Sequence, residues 1–375
     1  MLPDNSAIGT MHWPRLCRTD GEQSLPGASG GATTPRRAQA RGGWGDAAPL
    51  RARYAFGAVL ARGVSAEVVA ATRHADGTQV AIKVLSRPSR SRRRRGAELR
   101  RAESAALAAP GSGGERRKPP PPFRDAVKRE LLLQRALSFH KHIVPCHEVV
   151  LANKISYVVM ERARGGTLLD VVTRGAPGDA IAKRAAGQIL DALGFLHARG
   201  IIHRDIKLEN VLVRDDATAE DAPLHVLLCD FGSARFSASS QAGGTATAHV
   251  GTLPYMAPEQ LRGGTCDPAV DVWSFGIVLC ALCVGSHPLV RVPREAWAGA
   301  MARDDLPGDA AAWPSPGAFA LARACLRLAP CDRISAVAAR AHAWFAAPDA
   351  LTVATPPPVV RERLRSAREL RDDEP

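Results

Sequence analysis

The sequence predicts an α+β protein of two lobes, a small one built mainly from antiparallel strands and a larger one built mainly from helices. Three observations carry this. From Tyr54 to Leu85 the chain runs YAFGAVLARG and then SAEVVAATRHADGTQVAIKVL, β-branched stretches broken at Asp76-Gly77, a residue pair suited to a hairpin turn. Strand character returns in HIVPCHEVVL and ISYVVMERA. From Thr167 onward apolar residues recur mainly at helical spacing, and no fixed period suggests a repeat architecture.

Residues 1–50 are rich in Gly, Ala, Pro and Arg with no apolar period, so they are expected to form a disordered N-terminal tail. A single domain then spans 51–345, with a small lobe over 51–162 and a large lobe over 163–345, joined near Glu161 to Gly166. Within the small lobe, residues 86–122 form a basic insert that is Gly- and Ser-containing and ends in a proline run, so no packed element fits most of it. Helical periodicity resumes at FRDAVKRELLLQRAL. Residues 346–375 are expected to be a charged, solvated C-terminal tail. The longest apolar run, Val272 to Val284, is too short to cross a bilayer, so no membrane span is expected. An Arg-containing start leaves an organelle transit peptide open, against the acidic Asp4, Asp20 and Glu22.

The chain of 375 residues is 46% apolar, enough for a substantial core, and carries a net charge of +13. That charge is local. The insert holds 11 Lys or Arg against three Asp or Glu, so most of the excess belongs to one segment and not to a folded face. Its RSRRRR run reads as a nuclear import signal, a contact for anionic partners such as nucleic acid or lipid, or a solvated loop. Little aromatic interleaving argues against base stacking. The eight cysteines show no repeated C-x-x-C pairs, which points to a reducing compartment. The expected location is the cytoplasm, with the nucleus open to it. Cys280 and Cys283, inside an apolar run, read as buried helix residues one turn apart before they read as a redox pair; Cys229 reads as a buried strand residue before a reactive thiol.

The densest chemistry lies in IIHRDIKLENVLV, LLCDFGSAR and GTLPYMAPE, preceded by VAIK and followed by DVWSFG. In this order and spacing, from about Tyr54 to Phe345, the chain resembles the eukaryotic protein kinase superfamily of serine/threonine type. The resemblance implies the bilobal kinase fold, ATP and Mg²⁺ as cofactors, and a Ser- or Thr-bearing protein as substrate. It implies that Asp205 accepts the substrate hydroxyl proton, that Lys207 steadies the γ-phosphate, and that Asn210 and Asp230 hold the metal. Lys83 of VAIK would bind the α- and β-phosphates, fixed by Glu130, which matches the glutamate of the family's helix αC in register with the downstream HKHIV. Val68 and Ala81 would pack on adenine, and Glu161, Ala163 and Leu212 complete the matched nucleotide-binding positions.

The phosphate-covering loop, LARGVSAEV, departs from the family pattern. Aligned on Val68, the three glycine positions become Ala61, Gly63 and Ala66. Glycine lets such a loop turn sharply and approach phosphate closely, so the loop is expected to close over ATP with reduced affinity. This motivates the rival reading, a pseudokinase scaffold; a basic nucleic-acid-binding protein is the third.

Lys207 and Thr252 resemble the serine/threonine class, while HRDIKLEN and AHAWF lean towards the calcium/calmodulin-dependent and AMP-activated-like groups. Asp271, and the pair Glu259 and Arg333, match supporting residues of the large lobe. Arg204 and Arg235 match a pocket for phosphate on the activation segment. The usual phosphosite is Ala248 here, so phosphorylation of Thr245 or Thr247 by an upstream activating kinase and constitutive activity both stay open. Asp170 and Glu209 are acidic positions suited to a basic substrate. Peptide preference and oligomeric state are not fixed by the sequence.

Overall fold

The computed structural model describes residues 48–63, 66–86, 123–151, 155–215, 224–237, 251–261, 267–285 and 313–346. The expected N-terminal tail before residue 48, insert residues 87–122, Thr245, Thr247, Ala248 and the C-terminal tail from residue 347 lie outside them. The chain divides into two compact units, the first taking in 147–162 together with the strands that precede the insert, the second taking in the remainder.

The first unit opens with a single helical turn, α1 (Ala48–Arg51), followed by β1 (Tyr54–Arg62), β2 (Ala66–Arg73) and β3 (Gln79–Ser86); β4 (Cys146–Val150) and β5 (Ile155–Glu161) complete the sheet in the order β1-β2-β3-β5-β4. The pairs β1–β2, β2–β3 and β3–β5 are antiparallel. Asp76 and Gly77 turn the chain between β2 and β3: Gly77 adopts φ +72°, and Asp76 Oδ1 accepts the Thr78 N–H at 3.0 Å. Alternation along β3 sends Val80, Ile82 and Val84 into a core shared with Val69, Ala71, Tyr157 and Val159.

Leu50 from α1 is 1% exposed and belongs to that same core, so α1 packs with the sheet. Leu50→Ala removes a fully packed side chain and should lower the stability of this unit by about 2–5 kcal/mol, read as an earlier unfolding midpoint in denaturant.

The stretch HIVPCHEVVL forms a strand only from Cys146. Pro145 has no N–H, and the residues before it bond elsewhere: Val144 N–H donates to Leu228 O at 3.0 Å, Leu228 N–H to His142 O at 2.9 Å, and Gln134 Nε2 to Val144 O at 2.8 Å. The backbone of 142–144 is thereby committed to the second unit.

The second unit contains α2 (Phe123–Leu137), α3 (Leu168–Thr173), α4 (Asp179–His197), two short antiparallel ribbons, and a group of later helices. The ribbons are β6 (Ile201–Ile202) with β9 (Arg235–Phe236), and β7 (Val211–Val213) with β8 (Val226–Leu228). The later helices are α5 (Pro258–Leu261), α6 (Ala269–Val284), α7 (Pro316–Cys325), α8 (Ala336–Arg340) and α9 (Ala343–Ala346). Thr167 and Asp170 form a reciprocal capping box that starts α3. Helix α6 is buried all round and mostly apolar, and α7 passes so close that a Cβ on Gly276 would fall 3.0 Å from the Cys325 side chain. Cys280 and Cys283 lie within α6 as buried free thiols; burial pushes Cys280 up to about 12 and Cys283 well above its usual range, so both are inert.

His142 lies beneath β8, its Nδ1–H donating to Val226 O at 3.3 Å. Burial pulls its imidazole from 6.5 down to about 4. The unfolded chain therefore binds the extra proton first, and this contribution to stability is lost as pH falls from about 6.5 to about 4. Urea midpoints measured across that window should fall for the natural chain and change less for His142→Leu.

Candidate functional site

The two ribbons of the second unit frame two loops. Residues 203–210 connect β6 to β7, and residues 229–234 connect β8 to β9. The first loop is held by Asp271, a fully buried carboxylate in the first turn of α6. Its Oδ1 accepts the Arg204 N–H at 2.7 Å, and its Oδ2 accepts the His203 N–H at 2.8 Å and faces His197 Nε2 at 2.9 Å. Burial opposes ionisation of Asp271, but the hydrogen bond and charge of His197 and the loop N–H groups outweigh it and hold the carboxyl below its ordinary value. This anchorage supports a strained backbone. Arg204 adopts φ +65°, in the left-handed region that non-glycine residues seldom occupy. Gly251 packs so tightly on it that a Cβ would fall 2.6 Å from Arg204 O, and its own φ is +128°.

On this base the loop assembles a closed polar ring. Asp205 Oδ2 accepts from Lys207 Nζ at 2.9 Å and from Asn210 Nδ2 at 2.9 Å. Lys207 Nζ also donates to Thr252 Oγ1 at 2.7 Å, and the Thr252 hydroxyl donates to Asp205 Oδ1 at 2.8 Å. A further bond from Asn210 Nδ2 to Asp205 O, at 2.8 Å, fixes the asparagine. Burial alone would lower the Lys207 ammonium, but the charge and hydrogen bond of Asp205 prevail and raise it, so the lysine stays a cation. Beside the ring, burial raises the Glu209 carboxyl, which accepts from Tyr255 Oη at 3.4 Å.

The second loop is tied to the first through the Cys229 N–H, which donates to Asn210 O at 3.0 Å. Asp230 follows with φ +66°, and its Oδ1 accepts the Gly232 N–H at 3.2 Å. Phe231 is buried, with its ring against His203. Helix α2 brings Glu130 to this loop: a Cβ on Gly232 would lie 3.1 Å from Glu130 Oε2. Cys229 is half-buried and lies one residue beyond β8, not buried within the strand as the sequence suggested. Leu212, half-buried on β7, pairs with Leu227 and bridges Thr167. Ala163 is half-buried at the start of the long segment of this unit.

The first unit carries the other matched positions on its sheet. Val68 pairs with Lys83, Ala70 with Ala81, Ala81 with Met160 and Lys83 with Val158, so these side chains share the face opposite the Val80–Ile82–Val84 core. Around Lys83 that face is apolar, with Val68, Ala81, Val158 and Met160 as its neighbours, and the polar Gln79–Thr72 pair lies at one end. Glu161 ends β5 opposite Val80. Ala61 and Ala66 lie on strands, where alanine meets no conformational penalty. At Gly63 the N–H donates to Ala66 O at 2.7 Å, φ lies outside the left-handed region, and an added Cβ would meet only Ala66 O, at 3.4 Å. The base of the hairpin is closed by an Arg62–Glu67 ion pair at 2.8 Å.

Comparison with known proteins adds the decisive observation: residues 115–345 match the family model for the protein kinase domain. The chain belongs to this family. The matched segment of the kinase domain contains the ring around Asp205, the Asp230 loop and Glu130, while β1 to β3 precede it. CBL-interacting protein kinase 20 of Oryza sativa subsp. japonica is 32% identical over 304 residues, covering 79% of this chain and 58% of that protein. CBL-interacting serine/threonine-protein kinase 17 of Arabidopsis thaliana is 31% identical over 223 residues, covering 58% of this chain and 49% of that protein. The chain spans about half the length of the curated relatives it matches. Thr252 is the residue of this kinase domain that sequence reasoning left outside the site: GTLPYMAPE marked its class, but only the fold shows that its hydroxyl joins Lys207 to Asp205.

Proposed function

We propose that this kinase domain transfers the γ-phosphate of ATP to Ser or Thr hydroxyls of protein substrates. The observation that carries this reading is the ring of Asp205, Lys207, Thr252 and Asn210, which aims a carboxylate and an ammonium at one place. Asp205 is the group suited to receive the hydroxyl proton, since its two oxygens are fixed by three donors and the carboxylate stays oriented. Lys207 is the cation for the moving phosphoryl group. Its hold on Thr252 and Asp205 fixes its head before substrate arrives, so little reorganisation is left for the reaction.

The donor set fits Mg²⁺. Asn210 uses its amide N–H group on Asp205, which leaves its carbonyl oxygen as the ligand atom, and Asp230 adds a carboxylate; both are the hard oxygen donors that this ion takes. Mg²⁺, when bound, neutralises the triphosphate and so lowers the charge that the incoming hydroxyl meets. On the first unit, Val68 and Ala81 offer apolar contact for adenine and Lys83 a cation for phosphate.

The test is transfer of labelled γ-phosphate from ATP to mixed protein substrates, with and without Mg²⁺, followed by acid hydrolysis of the product. Phosphoserine and phosphothreonine formed only with Mg²⁺ are expected. Silence in transfer together with failure to bind ATP would return the reading to a scaffold. Among the described residues no helix is long and apolar enough to cross a membrane.

A further inference from the structure

Helix α2 presents two unlike faces. Val127, Leu131, Gln134 and Leu137 are buried, whereas Leu132 is 54% exposed and Phe139, in the turn that follows the helix, is 72% exposed, with Ala136 exposed between them. Leu132 and Ala136, four residues apart within α2, share one side of the helix, and Phe139 follows in the turn just beyond its end. Two large apolar side chains on one short segment, Leu132 and Phe139, are thus left largely open to solvent. The Phe139 end is already fixed in place. The Phe139 ring meets Phe195 edge-on at 5.3 Å, His140 packs on Phe195 at 4.5 Å, and the Arg199 guanidinium lies 3.8 Å over Phe195 and 5.9 Å from Phe139.

Charge decides what fits there. Every exposed charge described between Val127 and Lys141 is positive, namely Lys128, Arg135 and Lys141, and Arg199 adds a fourth from the end of α4. Glu130, on the same helix, is half-buried and directed to Gly232. An apolar patch with a basic border repels a basic segment and complements one in which apolar anchors alternate with carboxylates. Arg199, stacked on an aromatic ring, keeps its donor fork in a fixed plane and so suits a carboxylate better than a diffuse headgroup layer.

We propose that the outer face of α2, from Leu132 to Phe139 with Arg199 at its end, docks an acidic segment of a partner protein through apolar anchors. The site lies away from the ring around Asp205 and does not depend on the phosphotransfer reading.

The experiment selects random 16-residue peptides on the full chain, then measures the affinity of the survivors for the natural chain, for Leu132→Ser and Phe139→Ser, and for the pair Arg135→Glu with Lys141→Glu. Both serine changes replace exposed groups, and an unchanged melting midpoint confirms that each variant is folded. The expected result is a set of peptides rich in Asp and Glu around two or more apolar residues, with Kd weakened about tenfold or more by either serine variant and likewise by the charge reversals. No enriched peptide, peptides without an acidic excess, or affinity indifferent to the variants would overturn the proposal. So would a dimer of the natural chain that Phe139→Ser disperses, stronger peptide binding once residues 347–375 are removed, or Phe139-dependent sedimentation with phosphatidylserine vesicles, since each assigns the face to another occupant.

Discussion

Asp205→Asn is expected to lower phosphoryl transfer by roughly 10²–10⁴-fold with no comparable loss of fold. The substitution keeps the shape of the side chain, removes its basicity and charge, and puts an amide N–H₂ donor in place of one acceptor oxygen. Lys207 then loses the carboxylate that raises its ammonium, and Thr252 loses its acceptor at 2.8 Å, so positioning suffers together with proton acceptance. The anchors of the loop remain, because Asp271 and not Asp205 holds the backbone of 203–204. Steady-state kinetics beside a melting curve separate the two effects. Equal rates for the natural chain and the variant would remove Asp205 from the chemistry.

The largest expected loss of stability lies elsewhere, at the pair that ties α5 to the segment before α8. Arg333 has no exposed side-chain surface and spreads its donors over Glu259, Arg327 O, Leu328 O and Ala269 O, with the shortest-ranged specificity coming from a two-pronged grip on Glu259. Its guanidinium also lies 5.0 Å over the Trp273 ring. Glu259→Ala leaves that cation buried with no counter-charge and should cost about 3–5 kcal/mol. Replacing both members by apolar residues of similar size should cost less than removing Glu259 alone, because desolvation of the lone charge is then avoided. Urea unfolding of the single and double variants tests the sign of that difference. A loss below 1 kcal/mol from the single change would mean that water reaches the guanidinium.

What the sequence made legible follows from range. Asp76-Gly77, the alternation of VAIKVL and the period of FRDAVKRELLLQRAL are local signals, and the hairpin, β3 and α2 appear where those signals place them. The expected residues of the catalytic loop could be named because HRDIKLEN is contiguous, but their geometry could not: Thr252 stands far along the chain and meets Lys207 only in the fold. HIVPC misled because β propensity cannot register that Leu228, distant in sequence, takes the hydrogen bonds of 142–144. Nothing in the composition distinguishes the inner Leu131 of α2 from the outer Leu132; only packing does.

Asp271 gives the kinase domain an economy of parts. The carboxylate that holds two loop amides belongs to a helix surrounded by core on every side, so the posture of Asp205 is inherited from the interior of the large unit and not adjusted at its surface. Side chains that face water can be exchanged without touching that inheritance, whereas a loosening of α6 reaches the loop of Asp205 directly. Wear at the rim leaves the tool aligned, and a crack in the core does not.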